Sequence, residues 1–177
     1  IVADAAALAA TPIDNSVVLV VAKGAASAAV PDCAARVAIV FDGTETEEEV
    51  KAALAVDPVM AVIKVASGVS RLHASRRVFT HILAAGSSVP VIHHIAFDAG
   101  AANDDIVIQS GSQVGGLLCD GLGDGVLIQH PTAELDYIRR TSFGLLQGSR
   151  MRNTKTEYVS CPSCGRTLFL SLIHISE

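Results

Sequence analysis

The sequence predicts an α/β fold in which a mostly parallel sheet is covered by helices. Two observations lead there. Short runs rich in valine and isoleucine recur from Val17 to Gln129, and segments of helical periodicity lie between them. Val17-Val-Leu-Val-Val21, Val37-Ala-Ile-Val-Phe41 and Met60-Ala-Val-Ile-Lys64 read as buried strands. So do Pro90-Val-Ile-His-His94, Ile106-Val-Ile-Gln109 and Val126-Leu-Ile-Gln129. Runs this apolar suit a sheet that is covered on both faces. The alternation fits either a barrel or an open α/β sheet.

Three stretches read as helices: Glu47 to Val56, Val69 to Ala85 and Ala133 to Leu146. Thr44 or Thr46 is placed to cap the first, and Gly86 to stop the second. Val69, Leu72, Val78, Ile82 and Leu83 fall broadly on one face of the second, with Arg71, Arg76 and Arg77 mostly elsewhere.

Half of the 177 residues are apolar, tryptophan is absent and the net charge is −5. Such a chain can bury one good core. The acidic cluster Glu45-Thr-Glu-Glu-Glu49 reads as a solvated first helical turn, where carboxylates favour the positive end of the helix dipole. With no basic stripe, nucleic acid is not an expected partner. No apolar run reaches the roughly 18 residues that would span a bilayer, so no membrane partner is expected.

The four cysteines, at 33, 119, 161 and 164, do not read as a disulfide framework. Cys33 and Cys119 sit in apolar surroundings and read as small buried hydrophobes. Cys161 and Cys164 differ. They follow the β-branched and aromatic run Glu157-Tyr-Val-Ser160, with Pro162 fixing one backbone angle between them and Gly165 permitting a left-handed one after. That spacing lets two soft thiolates reach one metal-sized target. Three chemistries are compatible: an iron–sulfur cluster, a zinc knuckle and a redox dithiol. A zinc site would need two more ligands, with only His174 nearby, and a redox pair would need a complete thioredoxin-like unit.

Two other patterns invite chemistry and resist it. His93 and His94 are adjacent on a strand and therefore point to opposite faces, so they cannot easily share one ion. One is expected to be buried and hydrogen-bonded, the other to face a helix or loop. Gly121-Leu-Gly-Asp-Gly125 precedes a strand, whereas a phosphate-cradling loop follows one and opens a helix. It reads as a tight turn.

Leu145-Leu-Gln-Gly-Ser-Arg-Met-Arg-Asn-Thr-Lys-Thr-Glu-Tyr-Val-Ser-Cys-Pro-Ser-Cys-Gly-Arg-Thr-Leu-Phe169 closely resembles the large, plastid-type 4-hydroxy-3-methylbut-2-enyl diphosphate synthases. Val69-Ser-Arg-Leu-His-Ala-Ser-Arg-Arg77, Pro90-Val-Ile-His-His-Ile95 and Gly115-Gly-Leu-Leu-Cys-Asp-Gly-Leu-Gly-Asp-Gly-Val126 are similar to the same family. The resemblance is tight over residues 69–169 and loose before them.

The resemblance implies an organisation that composition alone would not draw. Residues 1–148 would be most of a (β/α) barrel-like insert domain, incomplete here, and 149–169 the start of a small α+β iron–sulfur domain. Residues 170–177 depart from the family pattern and are expected to be foreign, functionless sequence. The sequence opens at Ile1 without an Arg- and Ser-rich transit segment, so a mature product or a fragment is expected, and a fragment is favoured because the family's substrate barrel should lie N-terminal to these residues. Cys161 and Cys164 would be two of three cysteine ligands to a [4Fe–4S] cluster, with the third cysteine and an unusual glutamate ligand downstream. Arg150, Arg152 and Asn153 would contribute to the diphosphate-binding surface, since guanidinium groups grip phosphate oxygens in pairs; Lys155 could join them. A solvating basic linker is the competing reading of that segment. The parent enzyme would reduce 2-C-methyl-D-erythritol 2,4-cyclodiphosphate in isoprenoid biosynthesis. It would work in the chloroplast stroma as a homodimer, with ferredoxin as electron donor. No catalytic residue is assigned to this stretch, and alone it is expected to be inactive. The alternative is a non-catalytic binding or scaffold module that ends in a zinc knuckle.

Overall fold

The computed structural model describes residues 2–4, 10, 16–22, 34–66 and 68–156. Cys33, Cys161 and Cys164 lie outside them, as does the proposed foreign tail. Among the described residues six strands form one sheet. They are β1 (Val2–Asp4), β2 (Ser16–Val21), β3 (Ala34–Phe41), β4 (Met60–Ile63), β5 (Val91–Ala96) and β6 (Gly125–Gln129). Their order in space is their order in sequence, and every neighbouring pair is parallel. A doubly wound sheet would reverse its strand order part-way. Here the chain winds in one direction, and right-handed crossovers then lay successive helices on one face.

Parallel neighbours need crossovers, and helices supply them. From β3 the chain passes through α1 (Glu47–Leu54) to β4, and through α2 (Arg71–Ala84) to β5. Between β5 and β6 run α3 (Asn103–Ser110), a π-helical turn (Gly111–Gly115) and the short α4 (Gly116–Cys119). After β6 comes α5 (Leu135–Gly148).

The core follows from register. Phe41 pairs with Ile63, Ile63 with His93 and His93 with Val126, so these side chains share one face of the sheet. Ile39, Ala61 and Val91 form the next row on that face. They pack against Val50 and Ala53 of α1 and Val78 and Ile82 of α2. A second cluster joins Ile95 and Ile128 to Ile106 of α3 and Ile138 of α5. Truncating a fully buried Ile or Phe of either cluster to Ala should cost roughly 2–5 kcal/mol.

The helix signals hold with small shifts. Thr46, not Thr44, caps α1: its hydroxyl accepts from Glu49 N at 3.3 Å, and the Glu49 carboxylate accepts from Thr46 N at 2.8 Å. Gly86, at φ +68°, takes the left-handed turn that ends α2.

Several expectations are corrected. Ile106–Gln109 is not a strand but the middle of α3. A short apolar run fits a buried helix as well as a buried strand, and Asp104 and Asp105 favour a helix start just before it. Only Ile106 of that run reaches the core, while Val107 and Ile108 are exposed. The buried face of α2 is Ala74, Ser75, Val78 and Ile82, with Val69, Leu72 and Leu83 exposed. Ala74 lies close against Gly43 in the turn after β3. Glu45 is not solvated with its acidic neighbours. It is buried, and its carboxylate accepts from Asp42 N (2.6 Å) and Gly43 N (2.9 Å), which close the turn after β3. Cys119 is exposed rather than buried. It ends α4 on the outward side, while Leu117 and Leu118 point inward.

Candidate functional site

Near the end of the described chain, the segment proposed to grip phosphate is built on the C-terminus of α5. Ser149 caps the helix, with its hydroxyl and its N–H both donating to Leu145 O. Arg150 then adopts φ +63°, a left-handed conformation that glycine normally fills at this position. Its N–H donates to Gln147 O, and those of Met151 and Arg152 to Leu146 O. The chain is thereby folded back over the last turn of α5.

That fold-back decides where the cations go. The Arg152 guanidinium lies 4.4 Å from the centre of the Phe143 ring, a cation–π contact on the helix surface. Gln147 reads Lys155 from both sides: its amide nitrogen donates to Lys155 O at 2.9 Å, and its amide oxygen accepts from Lys155 N at 3.1 Å. Arg150, Arg152, Asn153 and Lys155 are all exposed. Arg150 and Arg152 thus leave one helix end within a single locked turn. The sequence reading missed Phe143 and Gln147. Their positions on the last two turns of a helix were the available signal, since a chain that reverses at a C-cap must pass over them.

The histidine pair is placed as the strand geometry demands. His93 faces the helices and is fully buried, with its Nε2–H donating to Leu122 O at 2.7 Å. Its Nδ1 has no partner among the described residues. His94 lies on the other face and is also buried, with Nε2 3.0 Å from Gln129 Oε1. Burial pushes both imidazoles below the ordinary histidine range, because a charged ring would lose water that its surroundings do not replace. Among the described residues no group of three or more His, Cys, Asp or Glu side chains could hold a metal ion.

Gly121-Leu-Gly-Asp-Gly125 is a tight turn into β6, as its order relative to the strand required. Gly121 and Gly123 take φ +75° and +128°. Asp124 fixes the turn to β5, donating its N–H to Val91 O and accepting from Val91 N.

No family model and no solved structure matches the chain. Curated proteins do. It is 48% identical over 164 residues to the ferredoxin-type 4-hydroxy-3-methylbut-2-en-1-yl diphosphate synthase of Arabidopsis thaliana, named as chloroplastic, and that comparison covers 89% of the chain. It is 51% identical over 138 residues, 76% of the chain, to the same enzyme of Oryza sativa. The chain is homologous to part of the plant 4-hydroxy-3-methylbut-2-en-1-yl diphosphate synthases. It spans 22% and 18% of the length of those two synthases. A bacterial synthase of the flavodoxin type, from Protochlamydia amoebophila, is 38% identical over 125 residues, covering 71% of the chain and 18% of that protein. The synthase relatives therefore include two kinds named for different electron carriers.

Proposed function

We propose that this chain is an internal part of a plastid, ferredoxin-dependent 4-hydroxy-3-methylbut-2-enyl diphosphate synthase. Residues 1–148 would be most of a barrel-like insert domain and 149–169 the opening of its iron–sulfur domain. The observation that carries the reading is the 48% identity over 164 residues to the chloroplastic Arabidopsis enzyme. The sheet supports it, because parallel strands wound in chain order are what a (β/α) barrel wall requires.

In the whole enzyme the reaction would open the cyclic diphosphate of 2-C-methyl-D-erythritol 2,4-cyclodiphosphate and remove a hydroxyl as water, consuming two electrons and two protons. Cys161 and Cys164 would hold part of a [4Fe–4S] cluster, and their thiolate donors suit iron. When bound, the cluster would supply the two electrons one at a time. Arg150, Arg152 and Asn153 would contribute to binding the diphosphate. Arg150 is held in a backbone conformation unfavourable for a side chain, as functional positions often are. The turn of residues 149–152 would fix its direction before substrate arrives.

Completing residues 1–169 with the family's substrate barrel and downstream cluster segment, then reconstituting anaerobically with iron and sulfide, tests the proposal. Turnover of the cyclodiphosphate with a strong reductant is expected. Cys161→Ser or Cys164→Ser should lose both turnover and the cluster's visible absorption, because an alkoxide is a poor ligand to iron. Binding of zinc in place of iron and acid-labile sulfide would overturn the iron–sulfur assignment and favour a zinc knuckle.

A further inference from the structure

We infer that the mouth of the sheet between β4 and β5 binds a phosphate-bearing small molecule, held by Arg71. A cavity of about 470 Å³ opens there. Its walls include Val65 and Ala66 after β4, Ala96 at the end of β5, Ser70 and Arg71 where α2 begins, and Gln113 from the π turn. This is the C-terminal edge of a parallel sheet, where ligands of such folds bind.

Arg71 is the only charged residue among those lining the cavity. Its guanidinium is partly buried and makes two bonds, from Nη1 to His94 O at 2.9 Å and from Nε to Gln113 Oε1 at 3.3 Å. Both acceptors are neutral. They orient the fork and leave the positive charge uncompensated, and burying an uncompensated charge is costly. Arg76, further along the same helix, is instead paired with Asp120, and Arg139 and Arg140 are paired with Asp136. Lys64, just after β4, and Arg71 both act as positive charges on His94.

The loop leading into the cavity is open as well. Gly68, at φ +80°, has no atom within 4 Å of where a Cβ would stand. The cavity is larger than a lone phosphate needs and falls in the range of small-metabolite sites. One planar guanidinium, fixed by two neutral acceptors and facing a polar space, is suited to grip phosphate oxygens in a pair. This inference does not depend on the cluster assignment, because it concerns only residues 64–113.

The test is a titration of the isotope-labelled 177-residue chain with inorganic phosphate and with glycerol 3-phosphate, at constant ionic strength against chloride. Amide and side-chain resonances of Ser70, Arg71, Ala96 and Gln113 should shift saturably at millimolar concentrations. Arg71→Met keeps the aliphatic stem and should weaken binding about tenfold or more. Arg71→Lys keeps charge without the fork and should weaken it less, while Arg76→Met should bind as the parent does. Tighter binding of the ester than of inorganic phosphate would identify an organic phosphate as the ligand. The inference is overturned if the parent chain shows no saturable shift, or if Arg71→Met and Arg71→Lys both bind phosphate as well as the parent.

Discussion

Gly123 stands directly against His93. A Cβ at 123 would come within 2.6 Å of the imidazole Nε2 and 2.7 Å of Cδ2, closer than carbon approaches such atoms. The same glycine carries φ +128°, and the carbonyl one residue earlier, on Leu122, is the acceptor for His93 Nε2. The turn into β6 and the buried histidine of β5 are therefore one structure. Neither can change without the other.

Gly123→Ala should accordingly be among the most damaging small substitutions in the chain. It combines backbone strain with overlap against a fully buried ring, and each effect is worth roughly 1–3 kcal/mol. Chemical denaturation should show the midpoint falling with an unchanged slope. An alanine at Gly121, which also has positive φ but open space around it, should cost less. Equal losses at the two positions would count against the contact.

Stability should fall in mild acid. Burial holds the imidazoles of His93 and His94 below the unfolded value of about 6.5, so between the folded and unfolded values the unfolded chain binds more protons. Their contribution is then fully present above about pH 6.5 and is lost progressively as pH falls toward the folded values. Thermal unfolding followed from neutral pH downward should show this loss, and His93→Gln should flatten it. A midpoint that rises on acidification would contradict the assignment.

Gly43 provides a second close approach, between elements rather than within a turn. At φ +86° its missing Cβ would lie 2.7 Å from the Cβ of Ala74 on α2, and Arg77 of the same helix donates to Gly43 O. Gly43→Ala should push α2 away from the end of β3 and cost roughly 1–3 kcal/mol. Thr46→Ala, which removes only the α1 cap, should cost about 1 kcal/mol. Comparing the two by denaturation separates packing from capping.

Arg150 should show opposed effects on stability and function. Arg150→Gly relieves a left-handed conformation and should raise stability by about 1 kcal/mol. If Arg150 grips the diphosphate as proposed, the same change in the completed enzyme should weaken substrate binding about ten- to a hundredfold, with the cluster's absorption unchanged. Normal substrate binding by that variant would reduce the segment to a linker.

Arg152 and Phe143 should be coupled weakly. An exposed cation–π pair is worth about 0.5–1 kcal/mol, and a double-mutant cycle of Arg152→Ala and Phe143→Leu would measure it in the free chain. If Arg152 leaves the ring to meet phosphate, a phosphate ligand should reduce that coupling.

The α/β class, five of the six strands among the described residues, and the helices α1, α2 and α5 were all legible in the sequence. Strands such as Val37–Phe41 have no exposed position and are continuously apolar, while the intervening helices carry the longer period. The cap at Thr46, the stop at Gly86 and the opposed faces of His93 and His94 were also legible, because they depend on neighbours in the chain. The features that were not legible depend on residues far apart in sequence. That Ile106 alone of the run Ile106–Gln109 enters the core was set by its clustering with Ile95, Ile128 and Ile138. Glu45 was drawn inside by two backbone N–H groups that its acidic neighbours do not meet. Arg71 was fixed by an acceptor on β5 and another on the π turn, 23 and 42 residues away. A local pattern records what a side chain can do; which groups surround it depends on contacts that close only when the sheet is wound.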